Sequence, residues 1–217
     1  MTRTRDSEKH SRGFAGGASY LPTHRRLSIL SHAVQDCRGC DLYHRATQAV
    51  FGEGPKSARI VMIGEQPGNE EDVRGRPFVG PAGRILDKAL ADSSIDRRAV
   101  YLTNAVKHFK FESRGKRRIH QKPTAAEVRA CRPWLEAEIN LIKPAVLVCL
   151  GATAAQALMG ASFRVSRERG VPREHPWAKH LLATVHPSAI LRVPDASDRR
   201  LEYERFVADL KEVRRLV

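Results

Sequence analysis

The 217-residue sequence contains no apolar run long enough to span a membrane. Its basic N-terminus also lacks the apolar segment of a secretory signal, so we expect a cytoplasmic protein with no membrane partner. There is no internal repeat and no linker that would separate a second domain. We expect residues 1–20, which are polar and aperiodic, to form a disordered basic tail. Residues 21–217 are then a single domain, which we expect to be monomeric.

Acidic residues are scarce relative to basic ones. Lys and Arg number 38 against 24 Asp and Glu, which gives a formal net charge of +14. This imbalance favours a polyanionic partner, most simply nucleic acid, because neutralised phosphates release their counterions. A solvated basic surface without a partner is the alternative.

Cysteine is also rare, with four in the chain: Cys37, Cys40, Cys131 and Cys149. The C-x2-C spacing of the first pair is typical of metal and cluster sites, whereas the second pair is spaced more widely than in common zinc ribbons. Four thiolates in a reducing compartment can hold zinc or an iron–sulfur cluster. Cys149 also fits a simpler role as a small apolar residue in a buried strand.

Short apolar runs predict four strands, at 60–64, 99–106, 145–150 and 181–185. They alternate with predicted helices, which indicates a three-layer α/β domain with a mainly parallel central sheet. Polar residues follow three of the strands: Glu65 and Gln66, Asn104, and His186. Because ligands of such sheets bind past the carboxyl ends of the strands, we expect these side chains to converge on a site.

Apolar spacing and capping signals predict helices over 24–34, from Pro81, over 124–142, after Gly151 and over 197–216. Pro133 lies inside the third of these and should bend or break it near residues 129–132. The segments 69–80 and 107–122 are predicted to be loops.

Several motifs resemble those of the uracil-DNA glycosylase superfamily, namely GEQPG (64–68), GRPFVGPAG (75–83), LTN (102–104) and VHPS (185–188). The four cysteines resemble the [4Fe–4S] set of its iron–sulfur members. The KRRIH segment (116–120), together with GEQPG in place of the more usual GEAPG, resembles the UdgX subgroup. That resemblance implies excision of uracil from DNA and covalent capture of the abasic sugar by the loop histidine.

The resemblance and the residue chemistry together assign roles in the pocket. Phe78 can stack on a flipped base and Asn104 can read its edge, although a core aromatic and a turn-forming Asn are the alternatives. His186 can donate a hydrogen bond to the departing uracil oxygen. Glu65 can stabilise the sugar cation or orient the attacking group. Gln66 contacts the base or the backbone.

His120 is the candidate nucleophile, against the alternatives of a phosphate contact or a solvated side chain. A neutral imidazole nitrogen can attack C1′ of an oxocarbenium-like sugar. If Glu65 draws off the proton of the other ring nitrogen, directly or through a partner, the adduct is a neutral N-substituted imidazole and a poor leaving group. Asp72 is a candidate for positioning water or the sugar. Candidate DNA contacts are Lys116, Arg117, Arg118, Ser188 and Arg192, the last two also fitting an ordinary helix start.

The predicted function is therefore single-turnover excision of uracil from DNA with covalent capture through His120. We expect single-stranded substrates to be preferred, because flipping a base costs least there. One alternative is a conventional turnover glycosylase in which water attacks the sugar. The other is a non-catalytic nucleic-acid-binding module that keeps the fold.

Overall fold

The computed structural model describes residues 14–217. Its strands are β1 (Ile60–Gly64), β2 (Val100–Asn104), β3 (Phe111–Arg114), β4 (Arg117–His120), β5 (Val146–Leu150), β6 (Arg173–His175) and β7 (Ala178–Thr184). Five of them form one sheet in the order β2-β1-β5-β7-β6. Its pairings are parallel except for β6 with β7. The strands β3 and β4 pair only with each other, as an antiparallel hairpin.

The helices are α1 (Leu27–Ala33), α2 (Asn69–Arg74), α3 (Pro81–Asp92), α4 (Ala125–Ile142), α5 (Ala152–Met159), α6 (Val165–Glu168), α7 (Pro187–Leu191) and α8 (Ala196–Arg215). Short 3-10 helices cover Gly17–Tyr20, Val34–Asp36, Asp41–His44 and Arg97–Ala99. No helix within residues 14–217 is both long and apolar enough to cross a bilayer.

Helices cover both faces of the central sheet. One apolar cluster joins the sheet to α3 and α8, through residues such as Leu86 and Phe206. A second cluster joins the opposite face to α4 and α5, through Leu135 and Ala155. All residues of β1, β2 and β5 are buried, as expected of parallel strands with both faces covered. The predicted three-layer α/β class is confirmed.

Two predicted loops contain regular structure. The segment 69–80 begins with the six-residue helix α2, whose Glu71 accepts a hydrogen bond from Gly68 N at 3.1 Å and so caps the helix. The segment 107–122 contains the β3–β4 hairpin, closed at its base by a 2.9 Å bond from Gln121 N to Lys110 O. Neither element carries an apolar period in its sequence, because α2 is short and the hairpin is mostly exposed.

Two further predictions differ from the structure. Helix α4 runs through Pro133 without a break, so of the predicted bend or break near residues 129–132 the break is absent. The predicted tail extended to residue 20, but Gly17–Tyr20 form a 3-10 helix in which Gly17 is buried against Trp134 of α4. This packing orders the end of the predicted tail, while residues 1–13 lie outside the described part of the chain.

Candidate functional site

The pocket predicted from the sequence is the place where the carboxyl ends of β1 and β2 meet the segment that carries Phe78. Gly64 and Asn104 are register partners at the ends of their strands. A Cβ on Gly64 would overlap Asn104 Oδ1 and lie 2.7 Å from Phe78 Cζ. The residue Asn104 is 3% exposed, and its side chain makes no hydrogen bond to any residue in the described range 14–217. The pocket therefore presents a free amide next to an aromatic ring.

The Phe78 segment is held in a constrained conformation. Phe78 has φ of 55°, in the left-handed region that residues other than glycine rarely adopt. Its carbonyl lies where a Cβ on Gly83 would sit, so the following helix can approach only because residue 83 is glycine. Glu71 holds the segment from the other side by accepting a 2.8 Å bond from Gly80 N. Sequence reasoning missed Glu71, although its position three residues after Gly68 is a capping signal.

His186 caps α7 and faces the Phe78 ring, with ring centroids 6.1 Å apart and planes at 27°. Its Nδ1 accepts a 3.2 Å bond from Ser188 N and lies 2.8 Å from Ser188 Oγ. Arg192 donates to that hydroxyl at 3.0 Å, which leaves the hydroxyl proton for Nδ1. The ring proton of His186 is then on Nε2.

His186 is also kept neutral. Burial, together with the nearby Arg192 and His120, lowers the pKa of His186 to about 4. It can therefore offer an uncharged Nε2–H donor at neutral pH. Ser188 and Arg192 were predicted as phosphate contacts or helix-start residues; in the structure Ser188 contacts this ring, Arg192 contacts the Ser188 hydroxyl, and the two together fix the tautomer.

Glu65 lies between the pocket and the hairpin. Its Oε2 accepts a hydrogen bond from Thr153 Oγ1 of α5, and its Oε1 is 3.3 Å from His120 Nε2. The hydroxyl of Thr153 fixes the carboxylate, and no sequence motif pointed to that residue. The two predicted catalytic side chains Glu65 and His120 are thus brought together.

Gln66 anchors the base of the hairpin. Its Oε1 accepts from Lys110 N at 3.0 Å, and its Nε2 lies 3.2 Å from Lys110 O, 2.9 Å from Gln121 O and 2.9 Å from His120 Nε2. Of the two contacts expected for Gln66, base or backbone, the structure has the backbone. The Gln66 amide and the Glu65 carboxylate therefore both lie against His120 Nε2.

Arg118 clamps the hairpin to α2. It donates to Asp72 Oδ2 at 2.5 Å and to Asn69 Oδ1 at 2.7 Å, and its guanidinium carbon lies 5.0 Å from the centroid of the Phe111 ring. Asp72 is fully buried and also accepts from Thr47 N at 2.9 Å. Arg118 and Asp72 thus contact each other, and their predicted roles as a phosphate contact and a water or sugar contact stay predictions.

Lys116 and Arg117 lie at the exposed tip of the hairpin. Neither side chain has a hydrogen bond or ion pair with the part of the chain that the structure describes. Both are therefore accessible to phosphates, and their contact with DNA stays a prediction.

Three of the four cysteines surround one cavity, and Cys149 does not. Cys37, Cys40 and Cys131 line it together with His108. Trp134 Nε1 donates to Cys37 Sγ and the Lys107 amide donates to Cys131 Sγ, both at 3.2 Å. Cys149 is fully buried in β5, within the apolar cluster beneath α4 and α5. The cluster set predicted to include Cys149 is thus not assembled, and its alternative as a core residue fits better.

The cavity does not have the geometry of a site for one metal ion. No three His, Cys, Asp or Glu side chains within residues 14–217 converge on a point that such an ion could occupy. A [4Fe–4S] cluster places its four irons at separate corners, so its ligands surround a volume instead. Burial raises the pKa of Cys40 to about 11 and that of Cys131 to about 12, so the free thiols are protonated at neutral pH.

A buried polar network lies between this cavity and the pocket. Lys107 and Glu138 form an ion pair in which both side chains are fully buried. Lys107 Nζ also donates to Asn104 O at 3.0 Å. Glu138 accepts from Tyr101 Oη at 3.0 Å and from Thr103 Oγ1 at 3.0 Å. The network ties the strand that ends in Asn104 to α4, and it satisfies each buried charge.

Comparison with known proteins gives consistent matches. The family model of the uracil DNA glycosylase superfamily matches residues 51–211. The type-4 uracil-DNA glycosylase of Thermotoga maritima is 40% identical over 179 residues, covering 82% of this chain and 90% of the relative. That of Archaeoglobus fulgidus is 38% identical over 194 residues, covering 86% and 91%. A type-5 uracil-DNA glycosylase of Thermus thermophilus is 34% identical over 188 residues, covering 77% and 80%.

Proposed function

The chain belongs to the uracil-DNA glycosylase superfamily, and from that premise we propose that it excises uracil from DNA in DNA repair. Single-stranded DNA is the preferred substrate in this proposal, because an unpaired base is flipped at least cost. The observation that carries the proposal is the grouping of three side chains at the strand ends: the Asn104 amide and Phe78 next to Gly64, and the neutral His186 against the Phe78 ring.

In this reaction Phe78 stacks on the flipped base and the Asn104 amide pairs with its edge. Cleavage of the glycosidic bond leaves its electron pair on uracil and a positive charge on the sugar. His186 Nε2–H stabilises the uracil oxygen, as an oxyanion-hole donor does. The Glu65 carboxylate, fixed by Thr153, stabilises the sugar cation.

We further propose that His120 captures the sugar. The lone pair on Nε2, adjacent to Glu65, attacks C1′ and forms an N–C bond as the glycosidic bond breaks. The proton on Nδ1 then passes to solvent, since about half of the His120 side chain is exposed. Glu65 Oε1 lies 3.3 Å from Nε2, so in this proposal Glu65 does not take the Nδ1 proton directly, and removal of that proton through a partner stays a prediction. The product is a neutral N-substituted imidazole, a poor leaving group, so the adduct persists.

Conventional turnover is the second candidate, and the identity to type-4 relatives favours it as strongly. In that reaction a water molecule takes the place of the His120 nitrogen. Glu65 orients the water, and the product is a free abasic site.

A denaturing gel with a uracil-containing oligonucleotide distinguishes the two candidates. Covalent capture gives a uracil-dependent protein–DNA band, and mass spectrometry of the cross-linked peptide should locate the bond on His120. Abasic DNA without such a band supports turnover. If neither the protein–DNA band nor abasic DNA is formed, the result supports the non-catalytic module.

Substitution separates cleavage from capture. His120→Ser should abolish the band while leaving slow release of uracil by water, because only the nucleophile is removed. Glu65→Gln should slow both steps, because it removes the charge that stabilises the sugar cation. An undiminished adduct with His120→Ser would refute the assignment.

We also propose that Cys37, Cys40, Cys131 and His108 hold a [4Fe–4S] cluster, with His108 in the place predicted for Cys149. The donor set fits, because these four side chains line one cavity and two of the sulfurs accept N–H bonds. When bound, such a cluster supplies cross-links between the N-terminal segment, the residues after β2 and α4.

Iron content and visible absorbance test this ligand set without any activity assay. Cys131→Ala and His108→Ala should lose iron, and Cys149→Ala should retain it. If Cys149→Ala loses iron and His108→Ala retains it, Cys149 is the fourth ligand, as the sequence predicted, and His108 is not.

A further inference from the structure

We propose that a groove lined by five arginines binds the phosphate backbone of the DNA strand next to the flipped nucleotide. The arginines are Arg74, Arg76, Arg84, Arg97 and Arg98, and we call the site the arginine groove. This proposal rests on the proposed function in one respect: the strand in the groove is taken to be the DNA strand that carries the flipped uracil.

The arginine groove adjoins Phe78 and reaches Val100, the first residue of β2. It has a volume of about 670 Å³ and lies against β2, the edge strand of the central sheet. Phe78 lines it as well as the pocket, and Val79 lies beside it. A strand whose base is stacked on Phe78 therefore has its adjoining sugar-phosphate backbone within reach of the groove.

Cations outnumber anions in the arginine groove. Its lining includes the carboxylates of Glu53 and Asp87. Glu53 forms an ion pair with Arg76 through hydrogen bonds of 2.9 and 2.6 Å, and Asp87 forms one with Arg97 at 2.9 Å. Three arginines thus remain in excess over the acids of the groove.

These three arginines are accessible. The side chain of Arg74 is 60% exposed and its contact to Glu70 is 3.3 Å long, while that of Arg98 is 90% exposed and pairs with Asp96. Exposed pairs of this kind contribute little, so a phosphate can displace them. Arg84, on α3, has no ion-pair partner among the residues that the structure describes.

Guanidinium groups along an open groove match the spaced single charges of a phosphodiester chain. Contacts of this kind are independent of sequence, and they position the strand without reading it. The arginine groove should therefore strengthen binding to single strands with or without uracil.

The salt dependence of binding tests this directly. The double variant Arg74→Gln/Arg84→Gln should bind a uracil-free single-stranded oligonucleotide with a shallower dependence of log Kd on log salt, by about 0.7 for each phosphate that the variant no longer neutralises. The matched control is Arg200→Gln/Arg214→Gln on α8. Arg200 pairs with Glu204 as Arg74 pairs with Glu70, and neither control residue lines the groove. The control should keep the slope of the parent protein.

Oligonucleotide length provides the second readout. With the parent protein, affinity should rise as nucleotides are added on one particular side of the uracil, and the double variant should lose that gain. The proposal that the arginine groove binds DNA would be refuted by an unchanged slope of log Kd on log salt, or by an equal gain in affinity with length in both proteins. Either result would count against it even if uracil is excised normally. A changed slope without any excision would instead support the groove and reject the proposed function.

Discussion

At the scale of a single residue, the first prediction concerns Gly64, which sets the width of the base pocket. We predict that Gly64→Ala lowers the single-turnover rate of uracil excision by about 100-fold or more, because the added Cβ would displace Asn104 and Phe78. The rate should be measured alongside a urea unfolding curve, which separates a blocked pocket from an unfolded chain. A stable variant with the parent rate would show that these two side chains do not contact the base.

His186 gives a prediction on pH. Its pKa is lowered to about 4, so the ring is neutral from pH 5 to 8 and its titration should leave the excision rate flat over that range. Below pH 5 the rate should fall as Nδ1 gains a proton and can no longer accept the bond from Ser188 N.

The acidic limb of the pH profile is the range in which the excision rate falls, and its position tests whether His186 is the group that titrates. Because the Arg192 charge lowers the pKa of His186, Arg192→Gln should raise this pKa and move the limb to higher pH. Arg199→Gln, an exposed change on α8, is the control and should leave the limb in place. A limb that does not move with Arg192→Gln would mean that another group is titrating.

The β3–β4 hairpin carries the next prediction, at the scale of an element. Arg118→Gln should slow adduct formation by about 10- to 100-fold, because the clamp to Asp72 and Asn69 positions His120. Faster hydrogen exchange of the hairpin amides should accompany the slower reaction. Arg114→Gln, an exposed change on the same hairpin, is the matched control and should keep both the single-turnover rate and the exchange. Equal effects of the two changes would remove the clamp from the mechanism.

The elements that the sequence predicted well are those in which an apolar pattern reflects burial. The strand β1 and the helix after Pro81 are of this kind, and so is the convergence of polar residues at the strand ends. The hairpin was missed because its strands are largely exposed and carry no apolar alternation. Pro133 was expected to bend or break α4, and the helix does not break, because apolar residues on both sides, such as Trp134 and Ala130, are buried and hold it together.

The residues of the candidate site also divide into those that the sequence indicated and those that it did not. The residue types at the strand ends pointed to Glu65 and His186, but no pattern disclosed Thr153, Glu71 or the clamp on Arg118, whose partners are distant in sequence. Likewise, spacing alone could not tell whether Cys149 faces a cavity or the apolar core.

At the scale of the whole molecule, the Lys107–Glu138 pair joins the sheet to α4. We predict that Glu138→Gln lowers the free energy of unfolding by about 3–5 kcal/mol, because it leaves the Lys107 charge buried without its partner. Urea unfolding measures this change. Glu136→Gln, which removes an exposed partner of Arg132 on the same helix, is the control and should cost about 0–1 kcal/mol.

A double variant completes that test. Lys107→Met/Glu138→Leu should be less destabilised than Glu138→Gln alone, since it leaves no unpaired charge in the core. If the double variant is instead the less stable one, the hydrogen bonds of the pair to Thr103 and Asn104 outweigh its cost of desolvation.

The hairpin bonds its strands only to each other, and its two ends meet at Lys110 and Gln121. An insertion with this geometry can be gained or lost without altering the order of the central sheet. Replacing residues 111–120 by a tight turn should therefore yield a shorter chain whose pocket stays whole and whose sugar end lies open to water. If His120 captures the sugar as proposed, permanence of the DNA bond would depend on this hairpin and not on the central sheet.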